Sequence, residues 1–196
     1  MSANSAAPTF QIAQDVEADQ VLSDDPFALL VGMMLDQQYP MEQAFRGPAK
    51  VLARFGTLEP AKIAAADPEK FSELCRQSPA IHRYGGSMAT RLQELAGQIE
   101  TTYGGDVTRL WNEAASGADL LKRVMALPGF GKQKAQIFVA LLAKQVGVRP
   151  EGWEKAVGDY SLDGYRSVAD VVDGASLLKV REFKQAAKAA AKAAKG

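Results

Sequence analysis

Apolar positions recur along this chain at helical spacing. Met88, Leu92, Leu95, Ile99 and Tyr103 are separated by four, three, four and four residues, which puts them on one stripe of a helix. Gly104-Gly105 follows and predicts its end. Ala135, Phe138, Val139, Leu142 and Val146 form a second stripe, closed by Gly147. A continuous apolar run, residues 27–35, stops at Asp36. Start signals precede such runs: Asp25-Pro26, Glu59-Pro60 after Thr57, and Asp67-Pro68 each place an acidic or capping residue before a proline at a first helical position. Strand-like alternation is confined to a weak candidate at residues 9–13, so the expected class is all-α. From Gly152 to Gly164 the pattern turns irregular, with Gly158, Trp153 and Tyr160 inside it, and predicts a connecting segment. Residues 175–195 are alanine-rich, a strong helix former with Lys184, Lys188 and Lys192 on one face.

Composition changes this picture in a few places. With 196 residues, 47% of them hydrophobic, the chain is long enough for one good core or two small lobes. No apolar run reaches the roughly twenty residues needed to cross a bilayer, and Met1 to Pro8 lack the basic and apolar regions of an export signal and read as a loose arm. A cytoplasmic, nucleoid-associated location is the expectation. The single cysteine, Cys75, and single histidine, His82, exclude a disulfide framework, a four-cysteine cluster and a convincing transition-metal site. No cofactor and no catalytic metal are expected. Net charge is zero, from 23 basic and 23 acidic side chains, but the two ends differ. Residues 1–36 carry six acids (Asp15, Glu17, Asp19, Asp24, Asp25, Asp36) and no Lys or Arg. Residues 175–196 carry six bases against Glu182, a balance of 6 − 1 = +5. Alanine between the tail lysines leaves their charge uncompensated and suits phosphate contact.

The most informative stretch is Leu127-Pro128-Gly129-Phe130-Gly131-Lys132-Gln133-Lys134-Ala135, set between two helical patterns. Gly129 and Gly131 permit a sharp reversal and leave backbone amides bare. Those amides, the positive end of the following helix, Lys132 and Lys134 together suit a phosphate. A Pro-Gly-x-Gly tetrapeptide alone would do no more than join two helices; the full nine residues between amphipathic helices carry the stronger reading.

These residues resemble the hairpin of the helix-hairpin-helix (HhH-GPD) DNA glycosylase superfamily, which includes endonuclease III, adenine glycosylases and 3-methyladenine glycosylases. The resemblance spans roughly Asp25 to Val148. Residues 26–38 are similar to the family's early helix, whose closing glutamine faces DNA; Gln38 matches it, and the doubled Gln37-Gln38 is similar to the alkylpurine branch. Ile81-His82-Arg83-Tyr84, just before the stripe at Met88, resembles the family's turn into its long helix. The resemblance implies a two-lobed helical bundle without an iron–sulfur cluster. Its divisions are residues 1–25 as an arm and part of a small second lobe, 26–147 as the helical barrel domain with the hairpin, 148–180 as connection and remainder of that lobe, and 181–196 as a basic helix. Residues 9–25 and 165–180 would pair in the second lobe.

Function follows from the same resemblance. An enzyme that attacks the bond between base and sugar must reach an atom hidden by stacking, so it needs a backbone clamp, a wedge and a carboxylate to support a positive sugar. Clamp candidates are Gly129, Gly131, Lys132, Gln133 and Lys134, with Lys184, Lys188 and Lys192 as further phosphate contacts. Wedge candidates are Gln38, Tyr39, His82 and Arg83, and stacking candidates Trp153, Tyr39, Phe45 and Tyr84, with Phe45 better suited to the core. Bifunctional members form a Schiff base through a lysine at the seventh hairpin position; here that position is Gln133, an amide that is no such nucleophile, so no lyase activity is expected. The family's aspartate follows that position by about eighteen residues, which here reaches Glu151. Asp36 is the rival carboxylate and Asp159 a weaker third. The expected protein is a monomeric, monofunctional glycosylase that acts on damaged double-stranded DNA, with an alkylated base as the candidate lesion. The alternatives are a lesion-recognition or architectural protein without catalysis, and a hairpin used only for protein packing.

Overall fold

A computed structural model describes residues 9–196, and among them every regular element is helical. The reading of Met1 to Pro8 as a loose arm lies outside the described residues. The helices are α1 (Val16–Asp24), α2 (Pro26–Leu35), α3 (Met41–Phe55), α4 (Pro60–Ala65), α5 (Pro68–Arg76), α6 (Gly85–Tyr103), α7 (Arg109–Asn112), α8 (Gly117–Met125), α9 (Lys132–Leu141), α10 (Trp153–Val157) and α11 (Gly174–Ala193). The chain divides into two compact units: the described residues up to Glu113 with Leu127–Gly129, and Ala114–Ala126 with Phe130–Gly196.

The first unit is built on α2, whose residues from Phe27 to Leu35 are all buried. Asp25 starts the helix by accepting the Phe27 N–H, with Pro26 in the first turn where no intrahelical donor is needed. At Gly32 an added Cβ would overlap the Phe45 ring, so glycine lets α3 lie close against α2. Phe45 is therefore a core aromatic, fully buried. The stripe Met88, Leu92, Leu95, Ile99 and Tyr103 of α6 is buried as its spacing requires, and Gly104 closes that helix in the left-handed region. Both α4 and α5 pack on α6.

Residues 9–13 form no strand. The Ile12 and Ala13 amides instead donate to one oxygen of Asp19, at 2.9 and 2.8 Å, so a buried carboxylate takes the place of a sheet partner. Burial pushes the Asp19 carboxyl above its usual range, against these two hydrogen bonds. α1 then packs on α2 and α3, and Arg46 of α3 donates to the Ala13 carbonyl at 2.8 Å. Residues 9–25 thus lie in the first unit, whereas the sequence division paired them with residues 165–180. The apolar contacts of α1 and the Asp19 nest decide their place.

In the second unit α8 and α9 pack together, with α10 on both. The sequence pattern suggested a connection at residues 152–164. The structure has α10 there because Trp153 and Val157 are buried one turn apart. Gly117, at the start of α8, is needed because a Cβ would strike the Trp153 backbone. The last turns of the α9 stripe widen to a π-helix, Leu142–Val146, before Gly147 ends it with φ +84°. From that turn Lys144 reaches Asp170 at 2.7 Å, while Gln145 donates to the carbonyls of Val168, Ala169 and Val171. These bonds tie down the irregular chain before α11, which is held by Leu177 and Val180 and is exposed from Gln185 onward.

Candidate nucleic-acid interface

Three local structures gather the residues singled out by sequence. At the hairpin, Gly129 has φ +83°, a conformation that L side chains rarely adopt. A Cβ there would also come within 2.7 Å of Arg91 Cδ and 3.3 Å of Met34 Cγ. Gly131 is different. Its φ is −77°, a Cβ would meet nothing within 4 Å, and it serves as the N-cap of α9 without any side-chain cap. The first ladder bond of that helix runs from the Ala135 N–H to the Gly131 carbonyl, so the amides of Lys132 and Gln133 have no acceptor inside the helix. Leu127 and Phe130 are buried, and Phe130 packs edge-on to Phe138 at 6.0 Å. Apolar anchors therefore alternate with exposed Gly131, Lys132 and Gln133. Lys134 is half-buried with its Nζ 5.9 Å from the Phe130 ring centre.

The seventh hairpin residue, Gln133, donates from Nε2 to the Tyr160 hydroxyl at 2.8 Å. Tyr160 was legible only as part of an irregular stretch; nothing in the spacing of residues 133 and 160 announces the pair. Asp159 is exposed beside it in a 3-10 turn.

The second structure is the loop that leaves α2. Asp36 is its half-buried C-cap, and its N–H donates to the Gly32 and Met33 carbonyls. Gln37 and Gln38 are exposed, and Gln38 has φ +51°, unusual for a residue with a side chain. His82 lies under this loop, only 1% exposed. Its Nε2 is 2.9 Å from the Gln37 carbonyl and its Nδ1 3.0 Å from the Tyr84 amide nitrogen. A backbone N–H only donates and a carbonyl only accepts, so the ring is the Nε2–H tautomer. The Tyr39 ring is 4.7 Å from that of His82. His82 was expected at the surface as a wedge; the structure buries it, leaving Gln38, Arg83 and the half-exposed Tyr84 on the outside. Arg83 covers the Tyr84 ring at 5.1 Å. Sequence reasoning missed Arg91, whose Nη1 donates to Gln37 Oε1 at 3.3 Å.

The third is α11. Arg181, Lys184, Lys188 and Lys192 recur at intervals of three or four, so they fall on one stripe about 17 Å long. Lys188, Lys192 and Lys195 are exposed, and Lys184 is half-buried.

None of these hydrogen bonds or ring contacts includes the remaining candidates. Glu151 is exposed in a loop fixed by the bond from the Gly117 N–H to its carbonyl, 2.8 Å. Trp153 is buried and lines a cavity of about 500 Å³ with Lys144, Arg149, Asp163 and Asp170. Its lining includes Lys144 and Gln145 of the π-helix that follows α9. Cys75 is buried, with its thiol pushed up to about 12. Among the described residues no group of three His, Cys, Asp or Glu side chains is placed to hold a metal, and no helix is long and apolar enough to cross a membrane.

Residues 31–191 match a family model described as "HhH-GPD superfamily base excision DNA repair protein". That span contains the Gln37-Gln38 loop, the hairpin and most of α11. No curated protein and no solved structure gives a match.

Proposed function

The chain belongs to the HhH-GPD superfamily of base excision DNA repair proteins, and we propose that within it this protein is a monofunctional DNA glycosylase. It would hydrolyse the bond between a damaged base and its sugar in double-stranded DNA and leave an abasic site. The observation that carries this reading is the seventh hairpin position, where Gln133 gives its amide to Tyr160. An amide forms no Schiff base, and Lys132 and Lys134 lie about a hundred degrees to either side on the helix. Water is then the nucleophile. Gly131 and the amides of Lys132 and Gln133 hold a phosphate at the positive end of α9, with Lys132 and Lys134 adding charge. Gln38 and Arg83 fill the gap left by the extruded nucleotide. Lys184, Lys188 and Lys192 extend the backbone contact along α11. The doubled glutamine supports an alkylated base as the lesion. The protein is proposed to act as a monomer.

The supporting carboxylate is assigned to Glu151, by its distance in sequence from Gln133, with Asp36 as rival and Asp159 third. Single-turnover base release is measured on duplexes that each carry one alkylated or deaminated base, followed by alkali to reveal abasic sites. Glu151→Gln should lower release by roughly 100-fold or more while DNA affinity persists or rises, since repulsion of the phosphates is removed. Asp36→Asn should then leave release near the parent's. The reverse result transfers the role to Asp36, and parental rates in both remove both assignments. One observation favours a second reading, a lesion binder without catalysis: Glu151 is exposed rather than held in a water-excluded setting. A parent that binds lesions and releases no base supports it.

A further inference from the structure

Gln37 is held twice, by groups far away in sequence. Its backbone carbonyl accepts from His82 Nε2 at 2.9 Å, and its side-chain oxygen accepts from Arg91 Nη1 at 3.3 Å. The next residue turns into the left-handed region, and its side chain is exposed. That conformation is strained for a non-glycine residue and persists only where surrounding contacts over-determine it. The grips also connect outward. His82 Nδ1 accepts from the Tyr84 N–H, and Tyr84 is the N-cap of α6 with no side-chain cap of its own. Arg91 carries its stem where a Cβ on Gly129 would sit. One buried ring therefore fixes the loop that presents Gln38 and the turn that presents Arg83. One arginine ties the same loop to the hairpin glycine.

We propose that His82 is a positioning residue, which rests on the reading of Gln38 and Arg83 as the wedge. It acts through the hydrogen bond to the Gln37 carbonyl, holding Gln38 ready to enter the duplex, and does not touch DNA. Arg91 is the second grip. The ring does two separable things. Its Nε2 position is mimicked by the Nε2 of a glutamine, which can still donate to Gln37. Its Nδ1 position is mimicked by the Oδ1 of an asparagine, which can still accept from Tyr84.

The test uses the full chain and a duplex in which 2-aminopurine flanks a stable abasic analogue. The fluorescence rise on binding reports local unstacking and needs no chemistry. Affinity for undamaged duplex and the thermal midpoint are measured alongside. Expected is a strong rise with the parent and with His82→Gln. His82→Asn should lose most of that rise and at least tenfold of the preference for the lesion duplex, with unchanged affinity for undamaged DNA. Arg91→Met, which keeps the stem beside Gly129, should lose part of the rise. If His82→Gln and His82→Asn behave alike, whether both keep or both lose the signal, the Gln37 bond is not the device and the proposal is overturned while the wedge reading stands. If the parent binds with no fluorescence rise, the wedge reading itself fails and His82 loses its role with it.

Discussion

The hairpin and the loop leaving α2 both turn the chain sharply and both carry exposed polar residues, yet they are held in opposite ways. In the hairpin the backbone holds itself: Gly129 takes φ +83°, Gly131 opens α9, and Leu127 and Phe130 are buried on either side. All of that is written in consecutive residues. The loop at residues 36–39 has no glycine, and Gln38 takes φ +51° against its preference. It keeps that shape through side chains that arrive from 45 and 54 positions away, His82 and Arg91. A turn made by glycine survives loss of its neighbours, whereas a turn made by distant grips is only as fixed as those grips. The hairpin suits a clamp that must fit every phosphate alike. The loop suits a part that must be ready for one event.

The contrast can be broken inside the hairpin itself. Gly129→Ala should cost stability, roughly 2–3 kcal/mol, because a left-handed side chain is strained and Arg91 Cδ must move. At about 2–4 °C per kcal/mol for a chain of this size, a thermal melt resolves it. An unchanged midpoint would mean that Gly129 does not define the turn. Gly131→Asp should do the opposite. Position 131 has extended backbone and open space, and Asp is a preferred N-cap, so stability should hold within about 0.5 kcal/mol. The same carboxylate would occupy the free α9 amides, and under the proposed phosphate clamp affinity for every duplex should then fall about tenfold, or about 1.4 kcal/mol. Equal affinity for variant and parent, measured by anisotropy at fixed salt, would remove the clamp.

How much was legible in the sequence follows the same division. The α6 stripe, the Asp25-Pro26 start and the hairpin glycines each depend on neighbours within a turn or two, and each stands where the pattern put it. What went unread depends on chain brought from elsewhere. A strand-like run at residues 9–13 became a nest because Asp19 was buried beneath it. Residues 153–157 became a helix because Trp153 packs against Gly117. Among the candidate residues, Gln133 was identifiable by position but its partner Tyr160 was not. His82 was read as a surface wedge and is buried: a lone histidine in a polar turn looks exposed until the carbonyl and amide that claim its two nitrogens are known.

The smallest expected effect on stability concerns α11, whose last turns carry the exposed Lys188 and Lys192. Lys188 and Lys192 are exposed on a stretch of helix with no buried residue beyond Val180, so any contact they make is one of charge alone. Replacing Lys184, Lys188 and Lys192 together by glutamine keeps the helix, since glutamine and lysine have similar propensity. Each phosphate contact contributes about 0.9 to the slope of log K against log salt, so three lost contacts should flatten that slope by about 2.7. The preference for lesion over undamaged duplex should stay as in the parent, because charge tracking carries no information about the base. A titration of both duplexes across salt concentrations measures slope and preference in one series. An unchanged slope returns α11 to a solvated tail. A changed preference would mean that the tail reaches the lesion itself, and the division of labour between clamp, loop and tail would have to be redrawn.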